Sequence, residues 1–107
     1  MYAVIFEVQP KTELDAQAYF KLAAELRTEL EDIDGFISVE RFSSLSDEKK
    51  FLSISLWRDE KSLKQWREHH QHRKAQQKGH KEFFKDYRII VAKIIRDYGI
   101  TNRKEAP

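Results

Sequence analysis

The sequence predicts an α+β fold, a four-stranded antiparallel sheet with two helices on one face. Three observations carry that expectation. Segments rich in β-branched and aromatic residues alternate with segments of helical periodicity in the order β-α-β-β-α-β. Only three glycines and two prolines punctuate the 107 residues, and Pro10 and Gly35 fall between such segments. The first and last strand segments are apolar on both sides, so each sheet face is expected to be covered.

The first strand is expected over Tyr2–Val8, stopping at Pro10. Apolar residues at Ala16, Tyr19, Ala23, Leu26, Leu30 and Ile33 then recur in steps of three and four, which predicts a helix over Thr12–Ile33. Thr12 suits the N-cap. Glu13 and Asp15 sit in the first turn, where the helix dipole favours negative charge, and Asp34-Gly35 ends the helix. Phe36–Ser43 reads as a second strand, with Phe36 and Phe42 on one face and Ile37 and Val39 on the other. After a polar turn, Phe51–Trp57 is a third strand in which Leu52, Ile54 and Leu56 alternate with Ser53 and Ser55. A second helix opens at Asp59-Glu60 and runs toward Gly79, with a break expected near His69-His70. Tyr87–Tyr98 is read as a long last strand. Residues 1–99 thus form one domain and 100–107 a polar tail, expected to be dispensable for folding.

That order is the ferredoxin-like split βαβ unit. Its helices cover one face only. Yet Tyr2, Val4, Phe6 and Val8 oppose Ala3 and Ile5, and Ile90, Ala92 and Ile94 oppose Ile89, Val91 and Ile95. A second copy of the chain is the simplest cover for the free face, so a homodimer is expected.

Composition removes several functions. There is no cysteine, hence no disulfide scaffold, thiolate zinc site or cysteine nucleophile. No apolar run approaches the roughly 20 residues of a membrane span, and MYAVIFEV has no basic leader, so a cytoplasmic chain without membrane contact is expected. Twenty basic against eighteen acidic residues argue against a nucleic-acid partner. Charge is uneven, however: residues 11–34 carry a balance of −4 and residues 58–81 a balance of +5. Two neighbouring helices of opposite sign attract each other, and the basic one would also draw an anionic ligand to a pocket mouth.

Several strings resemble the antibiotic biosynthesis monooxygenase family, a branch of the dimeric α/β-barrel proteins. They are Asp34-Gly35-Phe36 leading into Val39-Glu40-Arg41-Phe42, then Leu52 through Glu60, then Trp66-Arg67, His69, His72-Arg73 and Ala75-Gln76. Asp86 through Ile89, Val91-Ala92 and Arg96 through Gly99 complete them. The resemblance runs from about Tyr2 to Gly99. It implies a homodimer whose sheets meet as a barrel, each subunit keeping a pocket between its helices and sheet. It implies oxidation of small aromatic or quinone-like molecules by molecular oxygen without flavin or metal. A non-catalytic dimeric module that binds a small ligand is the alternative, and haem binding or degradation the third reading.

The residues expected to carry catalysis are Trp66, His69 and His72; those expected to hold substrate are Gln76, Arg73 and Glu7. Trp66 either anchors the core or walls a pocket with its indole N–H aimed at a ligand. His69 and His72, three apart, share a helix face and suit proton transfer. That spacing also serves metals, but only Glu68 stands by, so no metal is expected. No cofactor is expected either. The haem-degrading branch has an asparagine on the first strand, a tryptophan on the second helix and a histidine ten residues later. Here the first strand has Glu7 and Gln9 but no asparagine, and Gln76 stands where the histidine would be. Glu7 and Arg41 are charged positions within apolar strands. They read as rim residues or an ion pair with each other, and a pocket-facing Glu7 would be a base of raised pKa. Tyr87 and Tyr98 read as core or interface residues.

Overall fold

The computed structural model describes residues 1–76 and 83–101, with backbone alone for 70–76. The element order is β1 (Tyr2–Pro10), α1 (Glu13–Glu31), β2 (Phe36–Ser43), β3 (Phe51–Trp57), α2 (Glu60–Gln76) and β4 (Phe84–Lys93). The strands form one antiparallel sheet in the order β2-β3-β1-β4. This is the ferredoxin-like architecture that the pattern of apolar segments predicts.

Helix α1 starts as expected. The Thr12 hydroxyl accepts from the Asp15 backbone N–H at 3.1 Å and donates to the Asp15 carboxylate at 2.9 Å, so an orphan amide of the first turn is satisfied. The helix closes at Glu31, and a turn through Gly35 follows in which the Phe36 amide reaches the Ile33 carbonyl at 3.1 Å. Gly35 has φ +99°, and a Cβ there would collide with the Ser62 hydroxyl oxygen. Both the conformation and the closeness require glycine.

Three strands differ from expectation. Strand β1 runs past Val8 to Pro10, which pairs with Phe84 after a register shift between Gln9 and Pro10. Strand β4 begins at Phe84 and ends at Lys93, not Tyr98. Lys93 pairs with Tyr2, the first residue of β1, and the Ile94 amide bonds the Met1 carbonyl. Strand β2 slips by one residue: Phe36 pairs with Trp57 but Ser38 pairs with Leu56. The bulge separates two side chains expected on one face. Phe36 packs edge-on against Trp57 at 5.4 Å, whereas Phe42 pairs with Leu52 on the opposite face and is 44% exposed. Helix α2 is continuous through His69-His70 to Gln76. Its expected course to Gly79 lies outside the described residues.

The core lies between helices and sheet. Val8 and Trp57 are fully buried, with Tyr19, Ala23 and Leu30 of α1 above them. Edge-to-face aromatic contacts knit the layers: Phe6 with Tyr19, Tyr19 with Phe84, and Phe20 with Phe51 at 4.8 Å. The strand registers put Val4, Phe6, Val8, Ser53, Ser55 and Trp57 on this side. They put Ala3, Ile5, Leu52, Ile54, Leu56, Ile90 and Ala92 on the other. Strand β3 therefore turns Ser53 and Ser55, flanked by Phe51 and Trp57, toward the helices and Leu52, Ile54 and Leu56 away from them. Among the described residues no helix is long and apolar enough to cross a membrane.

Candidate functional site

The small side chains of β3 define where a ligand space can form. Ser53 and Ser55 occupy the helix-facing side of a central strand, where a filled core would carry Val or Leu. The Ser55 hydroxyl accepts the Trp57 indole N–H at 2.9 Å, which fixes that buried ring. Above the serines, α2 is anchored at its start. Asp59 accepts from the Ser62 amide at 2.9 Å and from the Ser62 hydroxyl at 2.6 Å. These bonds, with Arg58 alongside, lower the Asp59 pKa to about 2. Arg58 also forks onto Asp34 at 3.1 and 3.0 Å, tying the start of α2 to the turn after α1. Asp34 is lowered by that same guanidinium.

From this anchor α2 carries Trp66, half-buried, with its ring stacked on the His69 imidazole at 5.6 Å and 29°. The His69 Nε2 lies 3.5 Å from a carboxylate oxygen of Glu29 on α1. An indole, an imidazole and a carboxylate thus converge where the two helices meet. A carboxylate beside one ring nitrogen orients an imidazole, the arrangement a proton acceptor uses. The stack also places a flat apolar surface beside that acceptor.

Other expected site residues fall elsewhere. The side chains of His72, Arg73 and Gln76 lie outside the described residues, as do those of His70 and His80. Glu7 stands on the sheet face away from the helices, opposite Leu52 and Arg88. It does not pair with Arg41. Arg88 Nε donates to it at 2.6 Å and Lys50 Nζ lies 3.2 Å away. Those partners, Arg88 first, hold its pKa below the usual carboxylate value, the reverse of the shift expected for a pocket-facing base. Shallow clefts flank this cluster, one toward Gln9 and Asp86, the other toward Phe42 and Ser43. Tyr87 packs edge-on against Phe6 at 6.0 Å yet is 50% exposed, and Tyr98 is 41% exposed beyond the last strand.

Glu29 and Tyr19 are functional candidates that sequence reasoning passed over. Tyr19 was legible only as a member of the apolar stripe of α1. Its burial raises its pKa, against a lowering by the Arg41 guanidinium beside the hydroxyl. A polar tip on a core stripe was the signal available. Glu29 gave none, because only the packing of α2 on α1 brings His69 to it.

A split βαβ sheet with an aromatic, histidine-bearing helix junction on its serine-bearing side defines a small α+β protein of the ferredoxin-like class. Residues 1–78 match the family described as antibiotic biosynthesis monooxygenase, and the chain belongs to that family. It is 45% identical over 94 residues to the jasmonate monooxygenase ABM of Pyricularia oryzae, covering 88% of this chain and 43% of that protein. The chain thus spans less than half the length of that relative. It is 32% identical over 95 residues to the uncharacterised protein YqjZ of Bacillus subtilis, covering 89% of this chain and 80% of that one.

Solved structures share the fold at lower identity. Rv0793 of Mycobacterium tuberculosis superposes with a TM-score of 0.76 at 19% identity, covering 92% of this chain and 98% of its own. SnoaB of Streptomyces nogalater, a cofactor-independent oxygenase, gives 0.64 at 10% identity, covering 90% and 94%. A MhuD variant with two manganese protoporphyrins per active site gives 0.72 at 14% identity, covering 92% and 99%. One fold carries both an oxygenase and a porphyrin-binding protein, so the fold alone does not select the chemistry.

Proposed function

We propose that this chain is a cofactor-independent monooxygenase acting on a small aromatic or quinone-like molecule held between α2 and the serine side of β3. The observation that carries the reading is the 45% identity, across 88% of the chain, to a protein named as a monooxygenase. The junction of Trp66, His69 and Glu29 supports it with suitable chemistry. In this reading His69 takes the proton of a substrate hydroxyl, and Trp66 offers a ring face to the resulting anion. The electron-rich anion then reduces oxygen itself. For a methylene conjugated to the phenolate, the carbon loses two hydrogens and gains one oxygen as a carbonyl. The second oxygen atom leaves as water, and the substrate supplies all four electrons. His72, Arg73 and Gln76 extend the same helix and are proposed to line the pocket further along. The working unit is proposed to be a homodimer joined through the helix-free sheet face.

Oxygen uptake with a panel of hydroxylated aromatics, and with jasmonate, tests this. Consumption matched to product formation is expected. His69→Ala should lower kcat by about a hundredfold or more, the scale of a lost general base, with little change in melting temperature. No uptake with any member of the panel, or a His69→Ala variant of undiminished kcat, would overturn the assignment. A Soret band developing on addition of haem to a protein inactive in that panel would favour the haem reading.

A further inference from the structure

On the helix side of the sheet, Phe6, Ser53 and Arg41 form one row across β1, β3 and β2. Neighbouring strands lie about 4.8 Å apart, so Arg41 stands roughly 10 Å from Phe6 with only a serine between them. Tyr19 reaches over that gap from α1, its ring 6.4 Å from Phe6 and its hydroxyl beside the Arg41 guanidinium. The ring is clasped edge-to-face by Phe6 and Phe84 and is only 8% exposed, so the hydroxyl has a fixed position. Arg41 is exposed, and among the described residues it has no carboxylate within ion-pair distance. Arg27 and Arg88 each have one, and Arg58 has two. Burial keeps Tyr19 protonated at neutral pH, so its hydroxyl can donate, and the Arg41 guanidinium beside it carries donors alone. Two donors of this kind, one charged, converge beside a small-residue floor and an aromatic cluster.

We propose that Arg41 and Tyr19 form an anion-recognition pair that holds the carboxylate of a small ligand whose apolar body lies over Ser53. The pair lies apart from the Trp66–His69–Glu29 junction and contributes binding and orientation. It rests on the monooxygenase reading only in taking the ligand space to be the one beneath the helices.

Calorimetric titration with 2-naphthoate and its neutral counterpart 2-naphthamide tests the pair without turnover. The wild type should bind the carboxylate about tenfold or more tighter than the amide, the scale of one charge-assisted contact. Arg41→Met should abolish that preference, Arg41→Lys should retain some of it, and Tyr19→Phe should weaken it severalfold with the fold retained. Equal binding of both probes, no naphthoate binding up to about 10 mM, or an undiminished preference in Arg41→Met would overturn the proposal. A carboxylate preference carried by Arg41 in a protein that consumes no oxygen keeps this site and removes the monooxygenase reading. Turnover of hydroxylated aromatics without that preference does the reverse.

Discussion

At the scale of single residues, Gly35 has the most constrained position in the described structure. Its φ of +99° is a conformation that side-chain-bearing residues rarely adopt, and its α-carbon abuts the buried Ser62 hydroxyl. The contact matters because Gly35 also accepts the Arg58 amide at 2.8 Å, joining the end of α1 to the start of α2. Gly35→Ala should therefore lower stability by about 1–3 kcal/mol, the usual cost of a strained backbone position. Chemical denaturation measures it, and a loss below about 0.5 kcal/mol would mean that the turn has an unstrained alternative. The motif Asp34-Gly35-Phe36 was legible in the sequence as a helix stop. Its second role, making room for Ser62, was not, because that contact spans 27 positions and depends on how α2 docks.

At the scale of elements, α2 shows how local chemistry sets an element's end. Asp59 caps the helix with two bonds to Ser62 and carries a pKa of about 2, against 3.8 for the free side chain. A carboxylate with a depressed folded pKa stabilises the fold fully above about pH 4. That contribution is lost as pH falls through about 2. Asp59→Asn keeps a side chain able to cap but removes the charge. Its melting temperature should fall less steeply than that of the wild type between pH 4 and pH 2. Parallel profiles for the two proteins would show that the charge contributes nothing. All six elements were legible from periodicity. The misjudged boundaries share one cause. Strand β4 ends opposite Tyr2, where β1 begins, and the faces of β2 depend on a bulge, and neither leaves a mark in the strand's own sequence. The site was only half legible: Trp66 and His69 stand together at the helix junction, while Glu7 faces away, because alternation fixes which residues share a face without saying which face the helices cover.

At the scale of the whole molecule, the sheet has two apolar sides and the described helices cover one. The registers place Ile5, Ile54 and Ile90 side by side in the middle of the other. Ile89, its neighbour in the chain, points to the helix side and is 56% exposed. These adjacent isoleucines separate assembly from folding. In the proposed homodimer Ile90 is buried at an interface of roughly 2,000 Å² or more, the size expected of an obligate pair. Ile90→Asp should release monomers or unfold the chain, whereas Ile89→Asp should leave the oligomer intact. Light scattering at micromolar concentration reads both. A wild type of 12.8 kDa in solution, or an Ile90→Asp variant that remains dimeric, would remove the proposed assembly.

The slip in β2 does more than send Phe36 and Phe42 to opposite faces. With Phe36 held against Trp57, an unbroken pleat would send Arg41 to the outer face and Phe42 to the helices, because side chains alternate strictly along a regular strand. The extra residue at the start of the strand is what aims the guanidinium at Tyr19. The chemistry under the helices is thus set partly by strand length: removal of the single codon for Ile37 would straighten the strand and leave Arg41 opposite Ser53, whereas removal of that for Val39, with the bulge kept, would turn the guanidinium to the outer face.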